Sequence, residues 1–315
     1  MPQSKQTDFD WLRNHLTRLC ELAGRVGVSS EYLTYGSHTT LKIIALQIYS
    51  DTFAKIAQGP KSEGAGYDAA IYIDLFAGPG LVRCTDRGDV IAGSPLAVLD
   101  NKYKFNEYIF FERNKKRASS LQNNISALKL GLNTRVIMGD CNVEIDQELS
   151  RLKQSYRKPL LLVFVDPEGM EIKFETLRKI SRTFRGVDYV INFPAGTNRV
   201  AGRIKSGMES DIPIFGDYFG EKAPEILDRY SRGESLDEVY RGQLAEVLGK
   251  PLGESVEVKD SKLRAVYLLL FATRITSSGS QYVSAFKSIS ERLRNLSGVD
   301  VVKALDLIKK RQATL

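Results

Sequence analysis

Short, almost continuously apolar runs follow one another along the chain, separated by polar segments long enough to form helices. The runs are IYIDLF (71–76), YIFFE (108–112), TRVIMGD (134–140), LLLVFVD (160–166) and DYVINFP (188–194), and AVYLLLFATRI (265–275) follows later. Strands without a polar face are typical of a parallel sheet that helices cover on both sides. The pattern therefore predicts an α/β fold, a doubly wound Rossmann-like sheet with helical additions.

The segments around these runs divide the chain into four expected regions. Residues 1–66 are predicted to be an N-terminal helical region, because apolar residues recur there at helical spacing before a glycine-containing linker over 59–66. We expect residues 67–200 to form the ligand-binding Rossmann-like core and residues 201–254 a helical insertion. Residues 255–315 are expected to supply C-terminal strands and a helix that complete the core.

Composition narrows the class of protein. The N-terminus lacks an apolar signal core and no run of about 18 apolar residues occurs, so we expect neither export nor a membrane span. Three widely spaced cysteines fit reduced thiols of a cytoplasmic protein, and with two histidines in 315 residues we expect no metal site. The net charge of +7 permits a polyanionic partner such as nucleic acid.

Four successive runs end in a carboxylate. These are Asp74 before the turn AGPG, Glu112, Asp140 in the turn GDCN, and Asp166 in DPEG. Ligands of doubly wound sheets bind beyond the carboxyl ends of the strands, where an acidic residue accepts hydrogen bonds from ribose hydroxyls. Singly, each carboxylate is an ordinary solvated turn residue; together they indicate a ligand that carries a nucleoside.

The ordered set DLFAGPG, FFERN, GDCN and DPEG resembles the class I S-adenosylmethionine (SAM)-dependent methyltransferases. A closer resemblance, over roughly residues 36–200, is to the three-Cys-motif partner family, TcmP. It implies that SAM is the cofactor, with Glu112 holding the ribose and Asp140 with Cys141 facing the adenine. The residues that it places beside the methionine and ribose portions are Asp74, Phe76, Gly78, Pro79 and Gly80.

The first helix of the core is predicted to start at GSPL, with Ser94 as its N-cap and Pro95 as its first residue. The unpaired N–H groups of such a helix start suit the cofactor carboxylate. The intervening segment 81–93 is expected to be either a lid or a plain surface loop. A dehydrogenase is disfavoured, because Arg83 occupies the third glycine position of the fingerprint G-x-G-x-x-G.

Methyl transfer depends on positioning the acceptor, and DPEG is the candidate for that task. Methyltransferases that act on nucleobase amines carry [DN]-P-P-[YFW] at this strand end, so we predict Asp166, Pro167 and Glu168 to be catalytic. The aromatic of that motif is replaced here by Gly169. Phe193 is a candidate substitute, although core packing is its commoner role.

Two functions remain open at this point. The first is a SAM-dependent methyltransferase that acts on nucleic acid or another large acceptor, with protein or a small molecule as a weaker alternative. The second is a non-catalytic SAM-fold subunit that docks a three-Cys-motif partner protein. Basic clusters at 113–117, 153–158 and 309–311 either contact phosphates or form solvated helix faces.

Overall fold

The structure, a computed structural model, describes residues 6–59, 66–249, 252–273 and 281–312. Its strands in chain order are β1 (Leu33–Tyr35), β2 (Ala69–Asp74), β3 (Leu81–Cys84), β4 (Val90–Ala92), β5 (Glu107–Glu112), β6 (Thr134–Met138), β7 (Pro159–Val165), β8 (Val187–Pro194), β9 (Leu252–Lys259) and β10 (Ala265–Ala272). The linker predicted over 59–66 lies mostly outside the described residues.

The helices lie before, between and after these strands, with several in succession between β8 and β9. They are α1 (Asp8–Val26), α2 (Thr39–Ala57), α3 (Ser94–Leu99), α4 (Lys115–Leu128), α5 (Cys141–Ser155), α6 (Phe174–Thr183), α7 (Thr197–Lys205), α8 (Ile212–Phe219), α9 (Ala223–Ser231), α10 (Leu236–Leu248), α11 (Gln281–Arg294) and α12 (Gly298–Gln312). In the parts of the chain described above, no helix is both long enough and apolar enough to span a membrane.

Seven strands form one sheet in the order β6-β5-β2-β7-β8-β10-β9. The first five are parallel, and β10 runs antiparallel to both β8 and β9. This arrangement confirms the Rossmann-like α/β fold. After β2 the chain forms β5 and β6 on one side of this strand, and it then crosses back to form β7 on the other side. The strand order therefore reverses beside β2, and sheets of this kind bind ligands at such a switch point.

Helices cover both faces of this sheet, as the apolar runs predict. Alternate side chains of one strand point to opposite sides: Tyr72 and Phe110 belong to one buried cluster, Ile73 and Phe111 to the other. The first cluster includes the apolar faces of α1, α2, α4, α11 and α12, and the second those of α5, α6, α8, α9 and α10. The N-terminal and C-terminal helices thus share one face of the sheet.

A second, three-stranded sheet has the order β1-β3-β4. Strand β1 pairs in parallel with β3, and β3 pairs antiparallel with β4. The expectation that 81–93 is a lid or a plain loop is therefore wrong: the segment is a hairpin with buried Leu81 and Ile91, tied to the N-terminal region through β1. Strands of three or four residues are too short to show a period of two, so no pattern in the sequence indicated them.

Arg151 of α5 is expected to stabilise the edge of the sheet opposite the carboxyl ends. Its Nη2 lies 2.6 Å from Glu107 and 2.5 Å from Glu148, two carboxylates whose side chains are at most 5% exposed. Arg151→Met leaves both buried charges without this cation and should lower the free energy of unfolding by about 3–5 kcal/mol. Urea unfolding measures the loss.

Lys179→Met is the matched control. The Lys179–Asp146 pair is also 2.6 Å long but lies at the surface, 36% and 60% exposed. Because water screens an exposed pair, its loss should cost less than about 1 kcal/mol. Equal losses in the two variants would contradict the role of burial.

Candidate active site at the carboxyl ends of the strands

A cleft with about 960 Å³ of empty space, its open mouth included, lies where the parallel strands end. Nine of the twelve residues predicted as site residues line it: Phe76, Gly78, Gly80, Ser94, Glu112, Asp140, Cys141, Asp166 and Glu168. The other three, Asp74, Pro79 and Pro167, are buried behind its wall. The sheet thus brings together side chains that are far apart in sequence.

The glycine turn after β2 forms one wall of the cleft. The N–H of Ala77 donates to the carbonyl of Phe111 (2.9 Å), which ties the turn to β5. Gly80 has φ +85°, and a Cβ atom there would lie 2.9 Å from Leu121 Cδ1. Only glycine fits such a position without strain. The carbonyl of Pro79 accepts from Asn124 Nδ2 (2.8 Å), so Pro79 ties the turn to α4.

Asp74 stabilises this turn from its buried side. Its carboxylate is fully buried and accepts hydrogen bonds from Ser94 Oγ (2.9 Å) and from the N–H of Phe76 (3.1 Å). Burial raises the pKa of the carboxyl to about 7. The predicted N-cap of α3 is wrong by one residue: Gly93 is the cap, and Ser94, as the first helical residue, uses its hydroxyl to hold Asp74. Ligand contact by Asp74 stays a prediction.

Glu112, the last residue of β5, and Asp140, two residues after β6, also line the cleft. Glu112 Oε1 accepts from the N–H of Asn114 (2.6 Å), and Glu112 Oε2 has no hydrogen-bond partner within the described ranges. Asp140 caps α5 by accepting from the N–H of Asn142 (2.9 Å). Cys141 is 3% exposed, and burial raises the pKa of its thiol well above the ordinary value, which keeps the sulfur uncharged. This part of the cleft can accept hydrogen bonds from hydroxyl and amino groups.

The residue that sequence reasoning missed is Lys42 of α2. Its Nζ lies 2.6 Å from both Oδ1 and Oδ2 of Asp166, and Asn192 Nδ2 donates to the same Oδ1 (2.7 Å). The side chain of Lys42 is only 7% exposed, and it lines the cleft. The one signal in the sequence was a lysine inside the otherwise apolar stretch LKIIAL.

Glu168 connects the two sides of the cleft mouth. It accepts from Tyr35 Oη of β1 (2.9 Å) and lies 3.6 Å from Arg117 Nη1 of α4. Its side chain is 57% exposed, so these contacts are at the surface. Tyr35 and Arg117 were not among the predicted site residues. Both line the cleft beside Phe76, which gives the mouth two aromatic rings and a cation.

Phe193 is excluded as a cleft aromatic. It is 5% exposed and packs among Tyr218, Phe219 and Tyr240, so the expectation of core packing is confirmed. Among the ranges that the structure covers, no group of three or more His, Cys, Asp or Glu side chains is placed to hold a metal ion. The cleft presents carboxylates, the buried Lys42, two arginines, aromatic rings and main-chain groups.

Comparison with known proteins gives distant similarity. No protein-family model matches the chain, and no curated protein matches it. Among solved structures, protein LPL1258 from Legionella pneumophila is 11% identical, with 79% of this chain and 92% of that chain covered and a TM-score of 0.43. M. jannaschii TYW2 in complex with AdoMet is 16% identical, with 69% and 77% covered and a TM-score of 0.32. The function is therefore argued from the cleft of this chain.

The buried carboxyl of Asp74 should make stability fall as pH rises. Its pKa is 3.8 in the unfolded chain and about 7 in the fold, so between these values the folded state holds a proton that the unfolded state releases. The stabilisation is fully present below about pH 4 and is lost as pH rises through about 7. Each pH unit that separates the two pKa values contributes about 1.4 kcal/mol.

Asp74→Asn keeps an uncharged side chain of the same shape and should remove this pH dependence. Urea unfolding of wild type and variant between about pH 4.5 and about pH 8 tests the sign, because the wild type should lose stability relative to the variant over that range. Asp217→Asn, on an exposed carboxyl, is the control. A wild type that gains stability over Asp74→Asn on raising the pH would contradict the assignment.

Proposed function

We propose that the chain is a SAM-dependent methyltransferase of the TcmP type. Its acceptor would be nucleic acid or another large molecule, presented to the Asp166-Pro167-Glu168 turn at the end of β7. The observation that carries the proposal is the convergence of nine predicted site residues, eight from four strand ends and Ser94 from the start of α3, on one cleft. Clefts at this edge of a doubly wound sheet are where such folds bind nucleotide-like ligands.

The donors and acceptors of the cleft suit SAM. Glu112, with one carboxylate oxygen uncommitted, would hold the ribose hydroxyls. Asp140 and Cys141 would face the adenine, and the turn around Gly78 and Gly80 would border the methionine portion. Acidic groups also favour a cationic sulfonium. When bound, the cofactor supplies a methyl group activated for in-line displacement.

The remaining cleft residues would orient the acceptor and limit access of water. Pro167, buried behind the wall, fixes the turn from which Asp166 reaches the cleft. The contacts of Glu168 with Tyr35 and Arg117 narrow the mouth on the acceptor side. Holding the acceptor in line with the transferred group provides much of the catalysis in a displacement reaction.

A non-catalytic subunit that docks a three-Cys-motif partner is the second candidate. Two observations favour it: both oxygens of Asp166 contact Lys42, and Gly169 stands where related motifs carry an aromatic residue. This candidate predicts cofactor binding without methyl transfer to RNA, DNA or protein, with or without the partner. Detectable transfer by the chain alone excludes it.

Glu112→Ala should weaken binding of S-adenosylhomocysteine by about 1.5–3 kcal/mol, because it removes hydrogen bonds to a charged acceptor. Isothermal titration calorimetry measures the affinity, which we expect to be micromolar for the wild type, about −8 kcal/mol. Glu175→Ala, on an exposed glutamate of α6, should bind as the wild type does. No heat and no thermal shift at about millimolar ligand would refute the proposed cofactor.

Nucleic acid as acceptor predicts a salt-sensitive interaction at the cleft mouth. Arg113, Lys115 and Lys116 are exposed and have no ion-pair partner in the described parts of the chain. Reversing all three to Glu should lower affinity for a labelled single-stranded RNA. It should also reduce the slope of log K against log salt by about 2, at roughly 0.7 per phosphate. Fluorescence anisotropy across a salt series gives both values.

The matched control reverses Lys153, Arg157 and Lys158, which change the net charge equally at the opposite edge of the sheet. That variant should keep most of the RNA affinity, because its charges lie far from the cleft. Equal losses in both triple variants would mean that net charge alone drives binding. Undetectable binding at about 50 mM salt would point to a protein or small-molecule acceptor.

A further inference from the structure

We propose that the methyl acceptor is a hydroxyl oxygen, the ribose 2′-hydroxyl of RNA, and that Lys42 contacts it together with Asp166. The inference rests on the proposed methyltransferase function and specifies the atom that it modifies. It is carried by the Lys42–Asp166–Asn192 cluster at the wall of the cleft, together with the exposed cations Arg113, Lys115 and Lys116 beside the cleft mouth, which have no ion-pair partner in the described residues.

Stability does not explain this cluster. Removing an ammonium and a carboxylate from water costs free energy, and an apolar pair of similar volume is often as stable or more stable. Lys42 shares its face of α2 with Ala45 and Leu46, three and four residues further on, and both are fully buried. An apolar residue at position 42 would therefore continue the buried face of the helix. A charged pair at this position, on the wall of the cleft, indicates a task in the reaction.

The hydrogen-bond donors of Lys42 indicate what that task is. The ammonium of Lys42 has three N–H donors, and at most two can be given to the two oxygens of Asp166. The rings of Tyr35 and Tyr267 lie 6.0 and 5.0 Å from Nζ, and no other oxygen acceptor contacts it in the described ranges. At least one donor is thus available to an oxygen in the cleft.

The positive charge of Lys42 favours oxygen over nitrogen as the methyl acceptor. A neutral amine becomes positive as it receives a methyl group, and an ammonium close by opposes that change. A hydroxyl oxygen instead becomes negative as its proton leaves, and a positioned ammonium stabilises that charge.

Methyl transfer to the hydroxyl requires only the cofactor, the acceptor, Lys42 and Asp166. The acceptor oxygen forms a bond to the methyl carbon while the carbon–sulfur bond breaks, and that electron pair stays on sulfur. The hydroxyl proton passes to the carboxylate of Asp166 and from there to water. The ammonium of Lys42 donates a hydrogen bond to the oxygen. No oxidant, reductant or further reactant is required.

The cleft mouth favours RNA as the carrier of this hydroxyl. Lys115 and Lys116 stand in the first turn of α4, where cations oppose the helix dipole and where no acidic residue occurs. Arg113 and Arg117 line the cleft beside them. Unfavourable cations grouped at a cleft mouth fit a polyanion, and the 2′-hydroxyl is the hydroxyl that distinguishes RNA from DNA.

The first measurement uses the wild-type protein, labelled SAM, and total RNA, DNA and protein taken from the expression host before induction. The expected product is RNA methylated on ribose oxygen, identified by mass spectrometry of nucleosides and by resistance of the neighbouring phosphodiester to alkali. Methyl groups on base nitrogen would overturn the inference and leave the proposed function standing. Transfer only to protein would overturn the RNA assignment. No transfer to any acceptor would overturn both.

The second measurement compares Lys42→Met with Lys104→Met, a control that removes a half-buried lysine outside the cleft. Lys42→Met should lower transfer at least about a hundredfold, as for a positioned catalytic group. The affinity of Lys42→Met for S-adenosylhomocysteine should stay within about threefold of the wild type. Lys104→Met should keep both its transfer rate and its affinity within about threefold of the wild type. A tenfold or larger loss of affinity in Lys42→Met would mean that Lys42 serves the cofactor, which overturns the inference.

Where Lys42→Met folds poorly, as thermal unfolding will show, Lys42→Met/Asp166→Asn removes both charges and restores neutrality. The double variant should fold, bind S-adenosylhomocysteine and fail to transfer. Transfer by a folded double variant at the wild-type rate would overturn the inference.

Discussion

The shape of the cleft depends on one buried carboxylate, that of Asp74. Asp74 lies at the end of the central strand and accepts from the main chain of the glycine turn and from Ser94 at the start of α3. These bonds hold the turn and the helix start in one arrangement, although the β3–β4 hairpin separates them in sequence. A carboxyl that is neutral over much of the pH range can be buried there at acceptable cost, whereas a fixed charge could not.

Much of the sheet could be predicted, because a strand buried on both faces leaves an unbroken apolar run. This holds for β2, β5, β7 and β8. C-terminal strands were expected over 255–315, but the position of β9 was not identified, because this strand lies at the edge of the sheet and its sequence LGESVEVK carries polar residues that a buried strand excludes. Local periodicity reports burial, and it is weakest where a strand has one neighbour or only three residues.

The residues of the site also differ in how well the sequence predicts them. Carboxylates at strand ends were found because parallel strands bring their carboxyl ends to one edge, so the topology alone places Glu112, Asp140 and Asp166 together. Lys42 and Tyr35 come from the N-terminal region, outside the repeating units, and nothing local indicates which strand end they approach. Lys42 reaches its partner across 124 residues of sequence. Only the packing of α2 on the sheet brings Lys42 into contact with Asp166.

The ion pair between Lys42 and Asp166 also restricts how the sequence can evolve. Replacing either residue alone leaves its partner as an uncompensated charge, largely buried, and such intermediates are strongly destabilised. The two positions are therefore coupled, so that the effect of one substitution depends on the other. Relatives that lose the lysine are expected to have lost the aspartate as well. In an alignment, we therefore expect correlated substitutions between α2 and the end of β7.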